Sequence, residues 1–208
     1  MIDVETLFNY LDELYPNAHC ELTYHKDYEL LIAIMLSAQT TDKSVNKATD
    51  ILFKKYKTLE ELKNANIDDV LHILRFLGYY ENKAKYTIEI ARKLVDEFDG
   101  KVPNDPEALL SFPGVGNKTK NCYLAEIYNE PLLTVDTHMQ RVTKRLGICD
   151  VKDNPQKIEK KLMDFIPKEK ICKANHQIIW FGRYHCKALS PECENCKIKA
   201  FCKGKSNY

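Results

Sequence analysis

Apolar residues along this chain return every three or four positions and almost never alternate. Val4, Leu7, Phe8, Leu11 and Leu14 make one such face. Val45, Ala48, Ile51 and Leu52 make another, and Ala84, Ile88, Ala91, Leu94, Val95 and Phe98 a third. A half-buried strand needs a period of two and a helix a period near 3.6, so the pattern selects helices and leaves no convincing strand. Breakers separate the faces at Pro16, Gly78, Asp99-Gly100, Pro103 to Pro106 and Pro167. Start signals stand at Thr41 or Asp42, Thr58, Asp68-Asp69, Asn82 and Pro155. The fold class expected is all-α, and 208 residues suffice for one large or two small cores.

Charge and cysteine use narrow the setting. The formal net charge is +1, so no global field advertises a polyanionic partner. The segment from Lys173 onward is nevertheless basic, with seven Lys or Arg against Glu192 and Glu194. It suits either a backbone-binding surface or a solvated end. The longest apolar run, Leu30 to Leu36, is too short to span a bilayer. The first fifteen residues carry Asp3, Glu5, Asp12 and Glu13 and read as an amphipathic helix rather than a secretory signal. Eight cysteines in that context point to a reducing compartment, where thiols bind metal more often than they pair. No oligomer signal stands out, and a monomer is expected.

The stretch from Leu110 to His138 carries the densest chemistry. Gly114 and Gly116 flank Val115 after Phe112-Pro113, and Lys118 and Lys120 follow at once. Glycine admits positive φ and lets a ligand approach the backbone. The N–H groups of a helix starting near Asn117 or Lys118 would bind phosphate without reading sequence. A bare G-x-G also describes ordinary turns; its place between two helical patterns makes a helix-hairpin-helix element the reading here. A lysine amine becomes a nucleophile when desolvation or nearby positive potential favours its neutral form. Asp136 ends the apolar run Leu132 to Val135 and stands where the next helix begins. There it serves as an N-cap, and as an ionised carboxylate it suits a base or a stabiliser of positive charge.

Cys186, Cys193, Cys196 and Cys202 lie in C-x6-C-x2-C-x5-C spacing. A structural zinc site is often two tight pairs; here only one gap is tight, and the wider gaps suit a four-cysteine iron–sulfur cluster. Spacing alone leaves both open. Cys20, Cys122, Cys149 and Cys172 share no spacing and read as ordinary thiols.

Taken together, L-L-I-A-I-M-L-S-A-Q-T-T-D-K-S-V-N-K-A (30–48), F-P-G-V-G-N-K-T (112–119), V-D-T-H (135–138), G-R-Y-H-C (182–186) and the cysteine loop resemble the endonuclease III family of helix-hairpin-helix DNA glycosylases. The resemblance implies two lobes: a six-helix lobe from about 20 to 130, with the hairpin element at about 107 to 126, and a cluster lobe formed by 1–19 and 131–208. It implies removal of oxidised pyrimidines from duplex DNA and cleavage at abasic sites, in a cytoplasmic protein associated with DNA. Lys118 matches the family's nucleophile and Asp136 its carboxylate. The four cysteines match ligands of a [4Fe-4S] cluster, on the loop 186–202. Gln39 matches a residue that fills the gap left by a flipped base, and Gly114, Val115, Gly116 and Lys120 match the DNA-binding hairpin.

Two positions depart from the pattern. Tyr79 stands where relatives often carry an aliphatic wedge, and Asn117 where a basic residue commonly precedes the lysine. Both departures leave room for a uracil- or thymine-mismatch specificity in the same superfamily. Adenine-specific relatives lack the hairpin lysine. A non-catalytic DNA-binding iron–sulfur protein would have no use for Lys118 and Asp136 together. His138 reads as structural.

Overall fold

The computed structural model describes residues 2–206. Among them every regular element is helical and no strand forms. The chain divides into two compact units, Glu21–Tyr128 and a second made of Met1–Cys20 with Asn129–Tyr208. We call them the hairpin unit and the cysteine unit. The helix α1 (Val4–Leu14) belongs to the cysteine unit, and the next seven belong to the hairpin unit.

The hairpin unit is organised around α2 (Asp27–Leu36). Leu30 to Leu36 are apolar on every side of that helix, so no face suits water, and all seven are buried. Around it come α3 (Asp42–Lys55), α4 (Leu59–Lys63), α5 (Ile67–Leu74), α6 (Tyr80–Phe98), α7 (Pro106–Leu110) and α8 (Asn117–Tyr128). α3, α6 and α8 pack on α2, while α4 and α5 pack on α6. Seven helical segments, two of only five residues, thus stand where the resemblance implied six helices.

Local signals place most starts. Thr41 caps α3 through the Ser44 N–H, and Thr58 and Glu61 close a capping box on α4. Asp105 caps α7, with Pro106 in the first turn. Each such cap is worth about 1 kcal/mol. The cap of α5 is Asn66, so Asp68 and Asp69 sit in the first turn rather than before it. The start of α6 differs more. Asn82 was expected to cap it, but the Lys83 N–H already closes the first turn on the Tyr79 carbonyl at 3.1 Å. Tyr79 is therefore the N-cap, with left-handed backbone (φ 57), and Asn82 lies inside the helix.

In the cysteine unit, α9 (Thr137–Arg145), α10 (Pro155–Phe165) and α11 (Ile171–Trp180) join α1. Leu7, Phe8 and Leu11 meet Met139, Val142 and Phe181 in one core. A single helix was expected from Cys172 to Tyr184. Instead α11 widens into a π-helical turn, Phe181–His185, the kind of local distortion that often accompanies function. Beyond Cys186 the described chain makes only short 3₁₀ turns. Among the described residues no helix is long and apolar enough to cross a membrane.

Candidate active site

The hairpin element lies in the hairpin unit. Gly114 alone uses left-handed backbone there (φ 73), and a Cβ on it would stand 2.7 Å from Tyr86 and 3.0 Å from Met35. No other residue fits that turn. Gly116 is different: its φ is not left-handed and a Cβ would meet nothing within 4 Å. Neither a left-handed φ nor internal packing demands glycine at that exposed position. Val115 points inward and is 6% exposed, which leaves only its backbone for a ligand. The Lys120 N–H bonds to Gly116 O at 3.0 Å. The N–H groups of Asn117, Lys118 and Thr119 precede that first closed turn. Lys118 is exposed and Lys120 half-buried, and the Lys118 side chain forms no hydrogen bond or ion pair among the described residues.

Asp136, in the cysteine unit, caps α9. Its Oδ1 accepts the Met139 N–H at 2.8 Å, and the residue is half-buried. Oδ2 accepts no hydrogen bond among the described residues. The segment leading to it is fixed by Asn175. The buried Asn175 Oδ1 accepts both the Thr134 N–H (2.9 Å) and the Thr134 hydroxyl (3.0 Å). The sequence reading missed Asn175, one of two amides, with Gln177, on the buried face of α11. Burial holds the His138 imidazole below its usual pKa, opposed by the nearby Asp136 carboxylate. Its Nδ1 lies 3.2 Å from an Arg141 guanidinium nitrogen, in keeping with a structural role.

The same helix carries the start of the cysteine loop. Arg141 donates to Cys186 O (3.1 Å) and Gly182 O (2.6 Å). One turn on, the buried Arg145 donates to Cys186 O and Sγ (both 3.2 Å) and to Lys187 O (2.8 Å). Gly182 permits this close crossing, since a Cβ there would lie 2.8 Å from the His138 Cβ. Cys186, Cys193, Cys196 and Cys202 line one cavity of about 350 Å³. Burial pushes the Cys186 and Cys196 thiols up, and each of the other three cysteines adds to the effect on Cys196. None of the four is in a disulfide. Among the described residues, no three His, Cys, Asp or Glu side chains converge on a single ion.

Two further residues singled out in the sequence share an unusual backbone. Gln39 (φ 54) and Tyr79 (φ 57) are both left-handed, which costs a non-glycine residue on the order of 1 kcal/mol. Both are exposed, Tyr79 by 67%.

Comparison with known proteins places this arrangement in context. Residues 32–168 match the family model described as HhH-GPD superfamily base excision DNA repair protein. Endonuclease III of Bacillus subtilis (strain 168) is 40% identical over 200 residues, covering 96% of this chain and 91% of that protein. Endonuclease III of Escherichia coli (strain K12) is 38% identical over 195 residues, 94% of this chain and 92% of that one. A solved structure of a trapped endonuclease III–DNA covalent intermediate superposes with a TM-score of 0.90 at 40% identity, covering 98% of this chain and 97% of that chain. A thermostable thymine-DNA glycosylase shares the fold (TM-score 0.82, 21% identity, 96% of this chain and 94% of that one).

Proposed function

This chain belongs to the HhH-GPD superfamily of base excision DNA repair proteins, and from that premise we propose that it is a bifunctional DNA glycosylase and abasic-site lyase acting on oxidised pyrimidines in duplex DNA. The observation that carries the reading is the place of Lys118. It is an exposed lysine in the first turn of α8, directly behind a glycine hairpin whose open side faces solvent. The covalent trapping of a relative on DNA accords with a nucleophile of this kind.

A base stacked in a duplex is out of reach, so the damaged nucleotide must be flipped at a cost of a few kcal/mol. The hairpin N–H groups would hold the phosphates, and Gln39 and Tyr79 would occupy the vacated stack. The Lys118 amine, unprotonated, forms a bond to C1′ as the glycosidic bond breaks and the base leaves with its electron pair. Opening of the sugar ring gives a Schiff base between Nζ and C1′. Loss of a C2′ proton then expels the 3′ phosphate and nicks the strand, and water releases the lysine. The Asp136 carboxylate, through its free Oδ2, would accept the amine proton and stabilise positive charge on the sugar.

Cys186, Cys193, Cys196 and Cys202 would hold a [4Fe-4S] cluster. The donor set fits: the four cysteines line one cavity, none is in a disulfide, and burial disfavours the Cys186 and Cys196 thiolates without a cation. When bound, the cluster would tie the loop 186–202 together, with no part in the bond changes. The partner is duplex DNA carrying a damaged base or abasic site, met by a monomer in the cytoplasm.

The test is borohydride trapping on a duplex with one oxidised thymine, followed by peptide mapping. An adduct on Lys118, absent in Lys118→Gln, is expected. Base release with no adduct would mean a monofunctional enzyme using water. Adducts only on uracil or mismatched thymine would keep the mechanism and overturn the substrate.

A further inference from the structure

The ammonium of Lys83 is buried in the hairpin unit with the residue 4% exposed. It makes no ion pair among the described residues. It donates instead to the Ala38 carbonyl and the Thr40 hydroxyl, both at 2.8 Å. These two acceptors bracket Gln39, the residue in left-handed backbone. Burying an ammonium against neutral acceptors alone is costly, and desolvation does lower its pKa. A methionine would fill the same space at less cost, so packing does not explain a lysine here. The same first turn of α6 closes on the carbonyl of Tyr79, through the Lys83 N–H. Between the two loops, Gly78 rests against the Gln39 carbonyl, where even a Cβ would be only 3.6 Å away. One residue thus holds Gln39 by its side chain and Tyr79 by its backbone.

We propose that Lys83 is a positioning residue for base flipping, which locks the 38–40 turn so that Gln39 and Tyr79 enter the duplex as one preset wedge. The inference rests on the reading of Gln39 as the residue that fills the vacated stack. Its physical logic is that of a rigid insert. A turn free to relax out of the left-handed region would have to be ordered at the moment of unstacking, and that ordering would weaken flipping. The chemical step follows flipping and does not involve Lys83. Its loss should therefore weigh on substrates that must be unstacked and spare those already open.

The experiment compares Lys83→Met, Lys83→Arg, Thr40→Val, Gln39→Ala and the Lys83→Met/Gln39→Ala double variant. Each is assayed in single turnover on a paired oxidised thymine and on a preformed abasic site, with 2-aminopurine beside the lesion reporting unstacking. Lys83→Met is expected to slow excision from the paired lesion about tenfold and to flatten the fluorescence rise, with abasic-site nicking changed by less than about threefold. That nicking doubles as the control for folding. Lys83→Arg should recover part of the rise, and Thr40→Val, which removes one acceptor, should show the same pattern more weakly. The double variant should be no worse than Gln39→Ala alone, because both act on one device. An equal loss on both substrates, additive effects, or a normal Lys83→Met beside a defective Gln39→Ala would overturn the role of Lys83 and leave the reading of Gln39 intact. A Gln39→Ala variant with normal excision and fluorescence would instead remove the premise.

Discussion

The hairpin unit and the cysteine unit present their candidate functional groups by opposite means. In the hairpin unit, apolar burial sets the backbone. Leu109, Phe112, Val115 and Tyr123 are buried around the hairpin, and Lys118 is left exposed and unbonded among the described residues. In the cysteine unit, polar bonds hold the groups themselves. Asp136 is tied to Met139, its approach to Asn175, and Cys186 to Arg141 and Arg145. The contrast suits the chemistry proposed. A nucleophile must travel to a carbon and stay attached through several steps, so its side chain needs freedom on a rigid platform. A carboxylate acting through its field, and a loop holding a cluster, need fixed positions instead.

That contrast can be broken by substitution. Lys118→Gln is expected to lower base excision and nicking by at least about 10³-fold while leaving the melting temperature unchanged, because the side chain supports nothing. A large loss of stability would show that Lys118 is part of the scaffold. Next in size is Cys196→Ser. Removing one of the proposed cluster ligands should cost the cysteine unit roughly 3 kcal/mol or more, with loss of visible absorbance and of hydrogen-exchange protection near residues 186–202. Protection of α2 and α6 should persist; if both units lost it together, they would share one folding transition.

On the proposed mechanism Asp136 combines two jobs in one residue. Asparagine caps as well as aspartate, so Asp136→Asn should keep stability within about 0.5 kcal/mol and still lower excision about 10²-fold. Asp136→Ala should lose the same activity and about 1 kcal/mol besides. Equal activity in the wild type and Asp136→Asn would reduce Asp136 to a cap. The smallest effect concerns acid. Burial holds the folded His138 below the 6.5 of a free imidazole, so below that pH the unfolded chain takes up a proton that the folded chain resists. Stability should fall as pH drops from about 6.5 and level off below the folded pKa. His138→Gln should flatten that slope in denaturant titrations at stepped pH; an unchanged slope would assign it to other groups.

Much of this molecule was legible without coordinates, because the signals are local. Helical periodicity, the Thr41 and Thr58 caps, the proline at the start of α10 and the place of Asp136 before α9 depend only on neighbours within a turn. So does the cysteine spacing, although it left zinc and a cluster both open, and the fold adds that the four cysteines line one cavity. Tertiary structure alone decided the rest. It turned Val115 inward, freed Gly116 of any internal demand and made Tyr79, rather than Asn82, the start of α6. It also recruited Lys83, Asn175 and Arg145, whose partners lie more than forty positions away along the chain. A lysine or asparagine on a helical face reads the same whether it meets water or a distant carbonyl. Only the packing that removes the water decides which it meets, and a buried polar group must then be bonded.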